Sequence, residues 1–363
     1  MKSFNPKEHP VPFVHRLLLS GVAPRPIALV STLDEEGRNN LSPFSFFNAF
    51  GANPPVIVVS PAYRGSDGTP KHSFLNIAAT REFTVSAVSH DMVEQISLAS
   101  SDYDRGVDEF VKAGFTKLPS RLVAPPGVAE SPFVMECRLL QHVDTGGNPG
   151  SGNLMIAEVV MFHVRESAFE GDRIDPDRLD LVARMGYNWY CRASGPALFE
   201  LSKPKHAGIG FDALPRHIRE SCVLTGNDLA RLAGVAHLPD TTDILPRWQA
   251  RLAHPPASDG GAATDGLPAS DGLPDRDGLP DRDGLPAGDS MPDSFAIELR
   301  RGTPERALTA ALADWTAGTV STEGTAIRLQ YCAQLALRHG DTAMGWECAL
   351  LSDPALLSDP ALL

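Results

Sequence analysis

The residue types best suited to chemistry gather between Pro24 and Asn48. Arg25 stands between two prolines. Ser31 and Thr32 close an aliphatic run, and Ser42, Phe44, Ser45, Phe46, Phe47 and Asn48 follow a polar turn. The second stretch sets flat apolar rings beside short hydroxyls and an amide. A planar heterocycle with a polar edge needs both kinds of surface. Pro26 holds Arg25 on an extended backbone, where the cation either reaches a ligand or sits at the surface of a strand start. Strand alternation places Phe44 and Phe46 on one face and Phe47 on the other. One face could then meet a ligand or a second subunit, with core packing as the competing role.

A second cluster suits an anion. Thr69-Pro70-Lys71-His72-Ser73 reads as the start of a helix over 70–79, with Thr69 as cap and Pro70 in the first turn. Free N–H groups and the positive end of the helix dipole favour an anion there. Lys71 is unfavourable in that turn unless an anion is bound. Arg64, on the preceding loop, joins Lys71, His72 and Ser73 as candidates. A solvated helix start is the competing reading. Glu136 and Glu158 read as satisfied sheet carboxylates. Eleven histidines occur, none in His-x-x-x-His or His-Glu-x-x-His spacing, so no metal site is expected. Gly-x-Ser-x-Gly, Walker and Gly-x-Gly-x-x-Gly motifs are also missing.

The elements that must position these residues are mostly strands. β-branched and aliphatic runs at Pro26–Leu33, Leu41–Asn48, Val56–Pro61, Glu82–Val88, Phe133–Val143 and Leu154–Val164 read as six strands. The run Val56–Ser60 is apolar throughout, which suggests burial on both faces. Asp144–Gly152 is Gly-rich but joins two strand-like runs, so it reads as a long hairpin turn and not as a phosphate loop. Short helices are expected over 70–79 and 90–100. Helical patterns follow over 214–252, with Asn227 as a cap for 228–234, and again after Phe295, with Thr303 capping a helix that opens at Pro304 and another over 325–339. Asp-Gly-Leu-Pro recurs at Asp265, Asp271, Asp277 and Asp283. That composition cannot bury enough apolar surface to order itself.

The formal net charge is −13, but 259–293 holds nine Asp and two Arg, net −7, leaving −6 for the rest. This argues against nucleic-acid binding. Five cysteines without a Cys-x-x-Cys pair suit reduced thiols in a cytoplasm. No apolar run is long enough to span a bilayer, so no membrane role is expected.

In its combined pattern the chain resembles the flavin reductase-like family, which has the FMN-binding split-barrel fold. The matching segments are Pro24–Thr32, Ser42–Asn48, Pro54–Ser60, Lys71–Ile77, Glu82–Ser86, Glu136–Leu139 and Ala157–Val164. The resemblance covers roughly the first 200 residues. It implies that Ser31, Thr32, Ser42 and Ser45 approach the flavin phosphate and ring edge, and that a basic residue of the 71–73 turn lies near the phosphate. It implies that His163 lies near the flavin or nicotinamide edge, although a structural histidine fits the same position. Arg184–Tyr190 resembles the segment that returns to the flavin, often across a dimer, with Gly186 allowing close approach and Tyr187 or Trp189 stacking. The cofactor-binding candidates are therefore Arg25, Ser31, Thr32, Ser42, Phe44, Ser45, Phe46, Asn48, Arg64, Lys71, His72, Ser73, His163, Arg184 and Tyr187.

The implied fold is mainly β: a Greek-key-like split barrel with flanking helices and a helical C-terminal appendage. The expected divisions are a barrel over 1–210, a helical extension over 211–254, a disordered repeat linker over 255–292 and a helical region over 293–363. The implied activity is NAD(P)H:flavin oxidoreduction with FMN, or FAD, in a homodimer, with reduced flavin supplied to a partner oxygenase. Hydride transfer belongs to the cofactor, so no catalytic side chain is expected. A non-catalytic FMN-binding or electron-carrier protein is the alternative.

Overall fold

The computed structural model describes residues 1–201, 203–240, 246–248 and 302–358, with Ile244, Phe295 and Glu298. The expected linker over 255–292 lies outside the described residues. The chain divides into two compact units, Met1–Glu200 and Leu201–Leu363.

The first unit is built on β2 (Ala28–Leu33), whose residues are buried up to Leu33. Alternation explains this. Ala28 and Val30 enter one apolar cluster with Val85, Cys137 and Ala157. Ile27 and Leu29 enter a second cluster with Met92, Ile96 and Phe110. β2 pairs with β3 (Asn39–Phe44) and with β6 (Glu82–Ala87). The sheet continues through β9 (Phe133–Asp144), β10 (Asn153–Val164), β5 (Pro55–Val59) and β4 (Phe47–Ala52), in the order β3-β2-β6-β9-β10-β5-β4. All of its pairings are antiparallel.

β3 and β4 follow each other in the chain yet lie at opposite edges. Only Ser45 and Phe46 separate Phe44 from Phe47, a span of at most about 11 Å. The edges are thus drawn together without a ladder between them, which is the split of the barrel. Bulges in β9/β10 and β4/β5 supply curvature. The expected single strand Leu41–Asn48 is therefore two strands, which makes seven where six were expected. The bend also overturns the shared face of Phe44 and Phe46. Phe44 and Phe47 both pack on the barrel core, while Phe46 is exposed. In β5, Ile57 and Val59 are buried and Val56 and Val58 only half-buried, because only the face with Ile57 and Val59 packs on the barrel core.

Helix α1 (Val11–Gly21) precedes the barrel, and α2 (His72–Thr80) rests on β2. α2 starts later than the sequence suggested. Lys71 is its N-cap residue, while the Thr69 hydroxyl is drawn away to the Asp67 carboxylate at 2.7 Å. Helices α3 (Val93–Ala99) and α4 (Glu109–Ala113) cover the second cluster. Two-residue ribbons pair β7 (Lys117–Leu118) with β8 (Gly127–Val128) and β11 (Phe169–Glu170) with β12 (Arg173–Ile174). A small sheet joins β1 (Arg25–Pro26), β13 (Leu181–Arg184) and β14 (Tyr190–Ala193).

The second unit is helical. Its described helices include Gly226–Ala233, Pro304–Thr316, Thr322–Arg338 and Thr342–Leu351. They bury Leu308, Leu312, Leu329, Leu337 and Trp346 in one core. Thr225, not Asn227, caps Gly226–Ala233 in a reciprocal box with Asp228. The helix expected from Thr325 begins at Thr322, with Ser321 as its cap. Among the described residues no helix is long and apolar enough to cross a membrane.

Candidate functional site

The bend that splits the barrel opens a cavity of about 490 Å³. Ser42, Pro43, Phe44, Ser45 and Phe46 form its floor. His15 and Leu19 of α1 form one wall, and Tyr63, Arg64 and Lys71 close the far end. A cleft of about 250 Å³ adjoins it through Pro43, Phe44, Ser45 and Ser100, and adds Arg184 and Tyr190. Proline and phenylalanine surfaces beside hydroxyls can hold a flat ring with a polar edge.

The far end is electropositive. Arg64 is fully engaged: it donates to Asp102 at 2.9 and 3.2 Å, to the Thr69 hydroxyl at 3.2 Å and to the Pro70 carbonyl at 2.9 Å. That bond and charge hold the Asp102 carboxyl below its ordinary range. Lys71 enters no ion pair among the described residues. It stands at the start of the nine-residue α2, where no side chain caps the helix. A cation beside uncapped N–H groups could hold an anion. His72 contributes little positive charge there: burial, then Arg64 and Arg105, depress its imidazole.

The structure thus brings together Ser42, Phe44, Ser45, Phe46, Arg64 and Lys71, with Arg184 in the adjoining cleft. Arg184 lies over the Tyr190 ring at 4.5 Å. Its guanidinium donates to the Tyr187 carbonyl at 2.8 Å, while the Tyr187 side chain is exposed. Other candidates lie elsewhere. Ser31 is buried on the face of β2 that it shares with Leu29, and Thr32 and Ser73 are buried at the α2–barrel contact. At that contact Asn76 donates to Thr32 at 3.0 Å and Asn40 to Ser73 at 2.8 Å, while the Ser31 hydroxyl, on the other face, has no partner. Asn48 is exposed on the edge strand and accepts from the Ala49 N–H at 2.8 Å. Arg25 is buried, and its guanidinium donates to Ser45 and to three backbone carbonyls.

His163 is remote from the cavity. It lies eight residues along β10 from Met155, the partner of Val59, which is about 26 Å at 3.3 Å per residue. Its Nε2 meets the Glu136 carboxylate at 2.6 Å. Glu136 also accepts the N–H groups of Arg121, Leu122 and Val123, so the reading of a satisfied carboxylate holds for it.

His15, Leu19 and Tyr63 were not among the candidates. α1 was legible in principle, since Pro12 suits a helix start and apolar residues run from Phe13 to Leu19. Nothing local announces that His15 faces the Ser45 bend.

Two other groups carry less. Among the described residues, His90, Asp91 and Asp180 approach one another, but Arg192 binds both Asp180 oxygens at 2.6 and 2.7 Å. A cavity of about 690 Å³ in the second unit is lined mainly by apolar residues such as Leu350, Leu351 and Leu356. Its His217 is already bound to the Ala349 carbonyl at 3.2 Å.

A family model described as flavin reductase like domain matches residues 20–183. An uncharacterised protein of Deinococcus radiodurans is 41% identical over 179 residues, 47% of this chain and 77% of that protein. The crystal structure of nitrilotriacetate monooxygenase component B from Bacillus cereus is similar with a TM-score of 0.52 and 32% identity, covering 55% of this chain and 98% of that one. The 2-nitrobenzoate 2-nitroreductase NbaA of Pseudomonas fluorescens is similar with a TM-score of 0.50 and 27% identity, covering 56% of this chain and 97% of that one. These similarities cover about half of the present chain.

Proposed function

The chain belongs to the flavin reductase-like family through its barrel, and on that premise we propose that the Ser45–Lys71 cavity binds FMN and serves hydride transfer from NAD(P)H. The observation that carries this reading is the lone Lys71 cation at the uncapped start of α2, at the end of an apolar, hydroxyl-edged cavity. Lys71 and the first N–H groups of α2 would hold the phosphate. Pro43, Phe44 and Phe46 would bear on the ring face, and Ser42 and Ser45 on its polar edge. Arg64 would fix the loop that carries Lys71 through its bonds to Asp102, Thr69 and Pro70.

Bound flavin supplies the two-electron chemistry, and the protein supplies orientation, anchoring and exclusion of water. The similar Bacillus cereus protein is the component B of a monooxygenase. That supports a reductase that hands reduced flavin to a partner oxygenase. The exposed edge strand β4 with its Phe50, and the exposed Tyr187 and Trp189, support a homodimer, because an unpaired edge with apolar side chains is seldom left bare.

Anaerobic titration of FMN-loaded protein with NADH and then NADPH tests the reading. Bleaching of the oxidised-flavin absorbance supports the reductase and names its donor. FMN that stays oxidised with both donors contradicts it and favours the electron carrier.

A further inference from the structure

We infer that Arg25 is a positioning residue for the Ser45 cavity: one buried guanidinium fixes both the hydroxyl at its floor and the helix that forms its wall. Arg25 is 4% exposed. Its Nε donates to the Ser45 hydroxyl at 3.3 Å, one terminal nitrogen to the carbonyls of Leu19 and Val22, and the other to the Met185 carbonyl at 3.0 Å. The acceptors come from three separate segments: the end of α1, the β3–β4 bend and the turn after β13. Only a planar fork with several N–H donors serves such a set; an ammonium is a point charge on a flexible stem.

Helix α1 needs this anchor. It has eleven residues and buries none of them fully, and Leu17 and Leu18 are exposed. So short a helix is marginal by itself. Its last turn is gripped from a second side. A Cβ added at Gly186 would lie 2.6 Å from the Ser20 hydroxyl and 3.2 Å from Ser20 Cα. Arg25 and the Gly186 contact thus set where His15 and Leu19 stand across from Phe46. Four of the five guanidinium N–H groups are committed to these acceptors, and the phosphate-type site lies at Lys71, the cavity's other end.

The inference rests on the flavin reading for its affinity arm only. Arg25→Lys and Gly186→Ala are compared with the wild type by hydrogen exchange of the α1 amides, and by titration with FMN and with riboflavin. Two lost hydrogen bonds of about 1 kcal/mol each correspond to roughly tenfold or more. R25K should therefore show about that increase in α1 exchange, and G186A, which pushes Ser20 aside, an increase in the same direction, with FMN and riboflavin weakened equally within each variant. A selective loss of FMN in R25K would make Arg25 a direct phosphate ligand and overturn the inference, as would unchanged α1 exchange. If R25K does not fold, G186A decides alone: fast α1 exchange with both flavins weakened supports the clamp, and an unchanged α1 and cavity refute it. If the wild type binds neither flavin, the flavin reading fails, while the exchange comparison still judges the clamp.

Discussion

The Asn40 side-chain amide donates to the Ser73 hydroxyl at 2.8 Å in a fully buried pair. This bond joins β3, which ends at the floor of the cavity, to the first turn of α2, which directly follows Lys71. Ser73 is thus linked to the site through placement and not through contact. Ser73→Ala strands the buried Asn40 donor, at a cost of about 1–3 kcal/mol. Urea unfolding should show a loss of that size, and FMN affinity should fall in the folded variant because Lys71 loses its register.

Glu136 is one of the carboxylates of the barrel unit whose loss of charge weakens it in acid. Burial alone would raise its carboxyl. The Arg121 N–H, His163 and the Leu122 N–H outweigh that effect and hold it below the ordinary carboxylate range. Its contribution is therefore present above the unfolded carboxylate pKa, about 4.3, and is lost as pH falls through the lower folded value. Glu136→Gln turns an amide group toward donors and should cost roughly 1.5–3 kcal/mol at neutral pH. Unfolding measured across pH should show the gap to wild type closing in acid.

Glu109 behaves in the opposite sense. It is 4% exposed. Burial raises its carboxyl, and the Leu41 N–H at 2.9 Å offsets this only in part. Its contribution is full below the unfolded pKa and is lost as pH rises through the folded one. An amide oxygen can still accept from Leu41, so Glu109→Gln should stabilise the protein at pH 7–8. It should leave the protein nearly unchanged near pH 4. Loss of stability at both pH values would contradict this account.

The sequence and the structure part company where distant segments meet. The alternation along Ala28–Leu33 and the hairpin at Asp144–Gly152 were legible, because each is a local pattern with a single period or turn. The bend at Ser45–Phe46 was not: Ser-Pro-Phe-Ser-Phe-Phe reads as one strand, and only the closure of the seven-stranded sheet breaks it. The hydroxyls of Thr32 and Ser73 read as flavin or anion contacts, and the packing of α2 on the barrel is what seals them. Arg25 could not be assigned locally, since its partners span Leu19 to Met185. Lys71 was legible as an anion candidate because an unfavourable cation in the first turn of a helix is itself a local signal. The repeat beginning at Asp265 lies outside the described residues.

The central claim is that flavin is anchored by its phosphate at Lys71, and fluorescence titration of FMN against riboflavin tests it most directly. A charge-assisted contact of about 1.5–3 kcal/mol gives the wild type a preference for FMN of roughly 10–100-fold. Lys71→Met should bring that ratio close to one by weakening FMN alone. Equal affinity of the wild type for the two flavins, or a ratio unchanged in K71M, would contradict the account.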